Sequence, residues 1–208
     1  MYSWFLKYRF FQTQKELLKS ENPNMLKAFW ENNCLFFHIP KTGGMSVSKA
    51  LFGDLEWGHK DVFYYQKVFG KNTFQNLYKF TVVRNPFHRL SSAYHFLKAG
   101  GVNETDRMFC DNHLAAYSSF EEFVIKGLKK QEIKSWVHFL PQHAFILNNK
   151  NELVVDFVAK LESLDTDFKT ITHQLKKEAS LPHINKGSKQ TSAYSLEMEQ
   201  VVKFVYQK

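Results

Sequence analysis

"FFHIPKTGGMSVSKALFG" occupies residues 36–53 and runs a hydrophobic strand pattern into a lysine, two glycines and then a helical pattern. Such a junction has two readings. Gly43 and Gly44 either make a plain turn, or they let backbone amides close around a phosphate with no Cβ in the way. Amides at a helix N-terminus lack intrahelical partners and carry a partial positive charge. Lys41 adds a full charge there, and Thr42 and Ser46 add hydroxyl donors. The Walker pattern would place its lysine after the second glycine, followed by Ser or Thr. Here Lys41 comes first and Met45-Ser46 follow the glycines, so this is a phosphate loop of a different kind.

Outward from the loop, strand and helix patterns alternate. "CLFFHI" (34–39) is a continuous hydrophobic run of the kind buried in a parallel sheet, and Val47, Ala50 and Leu51 recur at helical spacing after the glycines. "YKFTVV" (78–83) is a second buried strand. "PFHRLSSAYHFLKAG" (86–100) opens on proline and closes on glycine, the asymmetry expected of a helix. Ser118 with Glu121 predicts a capping box for a further helix. "LVVDFVAKLESL" (153–164) predicts a third strand, with Asp165 capping the helix behind it, and a last helix runs to the C-terminus. Alternation of this kind predicts a three-layer α/β fold with a central parallel sheet flanked by helices. At 208 residues the chain reads as one domain, with 1–33 a helical extension and 34–208 the core.

"TVVRNPFHRLSSAYHF" forms a second constellation. Arg84 ends a strand at the mouth of a parallel sheet, where α/β folds bind ligands. Its planar fork suits a phosphate, and Ser92, two helical turns further on, can complete the shell. Read structurally, Arg84 is a salt-bridge partner and Arg89 braces the helix. Two phosphate sites at the ends of two strands suggest a nucleotide phosphorylated at separated positions.

Composition agrees in sign. The net charge is +8, so the partner or substrate is expected to be anionic, and charge alone does not choose among nucleotide, nucleic acid, acidic glycan and membrane surface. Cys34 and Cys110 make no metal pattern and suit a reducing compartment. No secretory signal is visible, and Lys7 and Arg9 interrupt the aromatic "MYSWFLKYRFF" well short of the ~20 residues that a membrane span needs. A cytoplasmic protein is therefore expected, with the opening helix packed on the domain or resting on a membrane surface.

"FFHIPKTGGMS" together with "FTVVRNPFHRLSSAY" resembles the sulfotransferases of the carbohydrate-modifying, heparan-2-O-like superfamily, including its bacterial members. The likeness continues through "HFLPQHAFI" (138–146), "VVDFVAKLESLDTDF" (154–168) and "LPHINKGS" (181–188), so it spans roughly residues 34–206. It implies a P-loop-like fold and 3′-phosphoadenosine-5′-phosphosulfate (PAPS) as donor, with PAP as product. On that likeness Lys41, Thr42, Gly43, Gly44, Met45 and Ser46 form the 5′-phosphosulfate loop, and Arg84 and Ser92 the 3′-phosphate site. Asn185, Lys186 and Ser188 lie in a loop that closes over the nucleotide in relatives. Met45 stands where the family usually has Ser or Thr, so Ser46 is expected to substitute. Relatives also continue past "VVKFVYQK" with an acidic, aromatic tail, so a truncated or short member is expected.

Sulfuryl transfer resembles phosphoryl transfer, with a loose in-line transition state stabilised by positive charge. Lys41 would neutralise the leaving 5′-phosphate. The transferred group is a monoanion, so no metal is required. The acceptor alcohol needs a base, and histidine suits neutral pH. Among nine histidines, His59 matches the family position that often carries the base, and His138 is the alternative, in a segment resembling one that lines the acceptor cleft. His38 reads as a packed core residue, and His88, His95, His143, His173 and His183 as surface or helix residues. Gln142 either contacts the acceptor or makes a turn. The resemblance implies a glycan hydroxyl as acceptor, and nucleic acid is not expected, because the lysines are scattered along helices instead of gathered in one basic-aromatic motif. A P-loop kinase, lacking here its Walker lysine and magnesium aspartate, and an inactive PAPS-binding relative are the remaining readings.

Overall fold

A computed structural model describes residues 2–55, 58–182 and 193–207. In chain order the elements are α1 (Tyr2–Leu17), α2 (Met25–Glu31), β1 (Cys34–Phe37), α3 (Gly44–Phe52), α4 (Val62–Phe69), α5 (Lys71–Asn76) and β2 (Tyr78–Val83). They continue with α6 (Pro86–Lys98), α7 (Glu104–Phe109), α8 (Phe120–Glu122), α9 (Gln131–Lys134), β3 (Phe157–Lys160), α10 (Leu164–Leu175) and α11 (Leu196–Tyr206). The fold is α/β, as expected. Two compact units interleave along the chain, one formed by residues 1–83 and 142–184, the other by 84–141 and 185–208.

The first unit holds the sheet. Its strands are parallel in the order β1-β2-β3, with Phe37 opposite Thr81 and Val83 opposite Lys160. All four β1 residues are buried, which is why that strand reads as an unbroken apolar run. Phe36 stacks on Phe80 across the two strands at 5.1 Å. The Thr81 hydroxyl donates to the Phe37 carbonyl at 2.7 Å, tying β2 to β1 close to the edge where the loops leave. Lys79 is buried on β2, and its ammonium lies 3.2 Å from Asp156. The opening helix packs against α4, with Phe10 and Phe11 against the Tyr64 ring and the Tyr64 hydroxyl donating to Gln14. Among the described residues no helix is long and apolar enough to cross a membrane.

Three expectations shift in detail. The third strand is only Phe157–Lys160, because Leu161–Ser163 turn into a short 3-10 helix. Leu153, expected within it, instead makes an isolated antiparallel bridge to Leu147. Asp165 falls in the first turn of α10 and Ser163 takes the cap position, while the Asp167 carboxylate accepts from the Lys160 amide at 2.7 Å and the Ser163 hydroxyl at 2.9 Å.

The second unit is helical. Leu90, Tyr94, Leu97, Phe109, Phe120, Phe123, Phe139 and Val202 belong to its core. Asn85 caps α6, accepting from the Phe87 amide at 3.0 Å, with Pro86 in the first turn as read from the sequence. The capping box lies one residue later than expected. Ser119 accepts from the Glu122 amide, and the Glu122 carboxylate reaches back to the Ser118 amide and hydroxyl at 2.9 and 2.7 Å.

Candidate active site

The loop between β1 and α3 leaves the carboxyl edge of the sheet, where parallel α/β folds place ligands. Lys41 has φ +67° and Gly43 φ +81°, two left-handed residues within three positions. Such curling turns successive amides toward one side and makes a concavity suited to an anion. A lysine in that conformation is strained, and strain of this kind collects at functional sites. Thr42 is fully buried and its hydroxyl donates to the Ile39 carbonyl at 2.9 Å, so its proton braces the turn.

Both glycines have a steric reason. A Cβ on Gly43 would lie 2.7 Å from Leu161 Cδ1, in the turn that follows β3. One on Gly44 would lie 2.0 Å from His38 Cδ2. The Ser46 amide is taken by the Gly43 carbonyl at 3.1 Å. The Gly44 and Met45 amides are then the first of α3, where a helix supplies no intrahelical acceptor. The Met45 side chain is 60% exposed.

His59 belongs to the same unit as the loop, although it lies sixteen positions after Gly43 in sequence. Its Nδ1 lies 2.9 Å from the His38 carbonyl, and its ring meets the His38 ring edge to face with centroids 4.6 Å apart. A carbonyl can only accept, so Nδ1 carries the hydrogen and Nε2 holds the basic lone pair. His38 is buried just past the end of β1 and stacks on Phe36 at 5.6 Å. The sequence marked it as core and missed that its packing partners are the glycine loop and His59.

In the second unit Arg84 directly follows Val83 and is half-buried, as is Ser92 on α6. Arg89 is 2% exposed and donates to the Leu140 carbonyl at 2.8 Å, the bracing role foreseen for it. Burial pulls its guanidinium down to about 10, still charged at neutral pH. His138 is buried, packed beside Phe96 with centroids 5.2 Å apart, and its Nδ1 lies 3.8 Å from the equally buried Asp106. Those contacts give it a place in the helical core. His95 is half-buried on α6, and burial lowers its pKa. Asn185, Lys186, Ser188 and His183 lie outside the described residues. Among the described residues no group of three or more His, Cys, Asp or Glu side chains could hold a metal ion.

The sequence model of the sulfotransferase family matches residues 29–205. The chain belongs to that family. The match takes in the glycine loop, Arg84, His59 and His138, and extends over both units. No curated protein and no solved structure matches this sulfotransferase. Its chemistry is therefore sulfuryl transfer in general, from a sulfate donor to a hydroxyl-bearing acceptor.

Proposed function

We propose that this sulfotransferase moves the sulfuryl group of PAPS to a carbohydrate hydroxyl, with His59 as general base. The observation that carries the reading is the Nδ1–H···O=C bond from His59 to His38, beside the glycine loop. That bond fixes the tautomer in which Nε2 can take a proton. His59 Nε2 accepts the hydroxyl proton as the acceptor oxygen attacks sulfur, and the bond from sulfur to the 5′-phosphate oxygen breaks. The Lys41 ammonium and the Gly44 and Met45 amides take up the charge that gathers on the departing phosphate. Arg84 and Ser92 hold the 3′-phosphate, which distinguishes PAPS from nucleotides without one. On the family likeness Lys186 and Ser188 also contribute to nucleotide binding. The net charge of +8 favours a glycan that is already anionic.

Differential stabilisation and turnover test the reading together. PAP should raise the melting temperature by mass action, and ATP with magnesium or single-stranded DNA should raise it less. Labelled PAPS offered with a panel of polysaccharides and small phenols should mark polysaccharide. Marking of phenols alone would refute the carbohydrate assignment, and equal stabilisation by ATP would refute the donor.

A further inference from the structure

We propose that His38 is a positioning residue that couples the phosphate loop to the base, a role that rests on His59 being that base. Three contacts converge on it. Its imidazole stacks on Phe36 with planes 17° apart. The same ring covers Gly44 so closely that a Cβ there would lie 2.4 Å from His38 Nε2 as well as 2.0 Å from Cδ2. The His59 ring stands edge to face against it at 4.6 Å, while His59 Nδ1 donates to the His38 main-chain carbonyl at 2.9 Å. One residue thus holds the first residue of α3 with its side chain, and the orientation and tautomer of His59 with side chain and main chain together.

The physical consequence is coupling. His38 is 7% exposed, and a densely packed ring cannot shift away from one neighbour without disturbing the others. An anion drawn onto the Gly44 amide pulls on the residue that His38 covers, and the displacement is passed to the ring of His59. Donor binding and base orientation are then linked through a single side chain, which does not itself touch the reacting atoms. Gly44 has a second reason to lack a side chain, because any Cβ would push His38 off His59.

Nitrogen-resolved NMR of the His59 imidazole reports which ring nitrogen carries the proton, independently of turnover. In the unaltered protein the Nδ1–H form should dominate. His38→Ala keeps the carbonyl and removes the ring. It should shift His59 toward a tautomer mixture and lower kcat roughly 10- to 100-fold, as expected for a misplaced catalytic group, with little change in PAP affinity. His38→Phe restores a ring in the same place and should recover most of that loss and the Nδ1–H signature. Gly44→Ala should disturb the His59 signals by itself, which keeps the proposal open to refutation if His38→Ala does not fold. Combined with His38→Ala, Gly44→Ala should cost much less than the product of the two single effects, because the steric conflict is gone. An unchanged His59 spectrum in both His38→Ala and Gly44→Ala, or losses that simply multiply, would overturn the coupling. Full activity of His59→Ala would instead remove the base assignment, and the His59 spectrum in the two variants would still decide whether His38 orients that ring.

Discussion

Lys41→Gly separates what Lys41 costs the fold from what it gives the site. Lys41 has φ +67°, and a residue with a Cβ loses roughly 1–2 kcal/mol in left-handed backbone. Glycine adopts that conformation freely but gives up about 0.5–1 kcal/mol more chain entropy on folding. The first term is the larger, so the nucleotide-free protein should melt at or somewhat above the unaltered one. Lys41→Ala keeps the strain and should melt lower than Lys41→Gly. Both substitutions remove the ammonium that faces the departing phosphate in the proposed mechanism. A charge-assisted hydrogen bond contributes about 1.5–3 kcal/mol, so PAP should bind roughly 10- to 150-fold more weakly to either variant. Calorimetric titration with PAP at low salt measures this, and the difference between variant and unaltered protein should shrink as salt screens the charge. PAP bound by Lys41→Gly as tightly as by the unaltered protein would refute the role of the ammonium. Lys41→Gly melting well below Lys41→Ala would refute the strain.

His59→Ala should lower kcat roughly 10²- to 10⁴-fold while PAP affinity stays nearly constant, because the base faces the acceptor. Equal losses in steady-state turnover and calorimetric binding would show instead that His59 supports the nucleotide loop. The Ser118 hydroxyl and amide, together with Lys126, hold the Glu122 carboxyl down to about 2 from its ordinary 4.5. A depressed folded-state value means that the ionised group stabilises above about pH 4.5 and loses that contribution as pH falls toward 2. Thermal melts of Glu122→Gln should therefore lie below those of the unaltered protein at pH 7 and converge with them in acid; a gap independent of pH would contradict this. Arg89→Ala strips the Leu140 carbonyl of a charged donor and should destabilise the helical unit by about 1.5–3 kcal/mol in denaturant titration. A variant as stable as the unaltered protein would show that the buried guanidinium adds no net stability.

Local pattern made most of the scaffold legible. Cys34–Phe37 is an apolar run because the strand is buried throughout, and Tyr78–Val83 is rich in β-branched and aromatic residues; neither pattern needs tertiary information to recognise. Proline at the start of α6 reports backbone constraints that act within a few residues. Where local signals were duplicated, the reading slipped. Ser118 and Ser119 precede Glu121 and Glu122 with identical spacing, and in the fold, with Phe120 buried in the helical core, the second pair forms the box. The apolar run at 153–164 is longer than its strand, because Leu161–Ser163 turn into a 3-10 helix, with the Asp167 carboxylate accepting from the Lys160 amide where the strand ends.

Sequence alone determined the strand-glycine-helix junction, the lysine beside it and the arginine behind β2, because anion binding by backbone amides needs only neighbouring residues in the right order. Tertiary structure decided which residues that junction works with. Gly44 must lack a Cβ because His38 lies over it, whereas at Gly43 the left-handed backbone disfavours a side chain and Leu161, over a hundred positions along the chain, crowds the same space. The His59 tautomer is set by a carbonyl twenty-one residues away, and Arg89 spends its charge on Leu140 rather than on a ligand. Contacts between distant residues leave no periodic trace in sequence, so the roles they assign become visible only once the chain has folded.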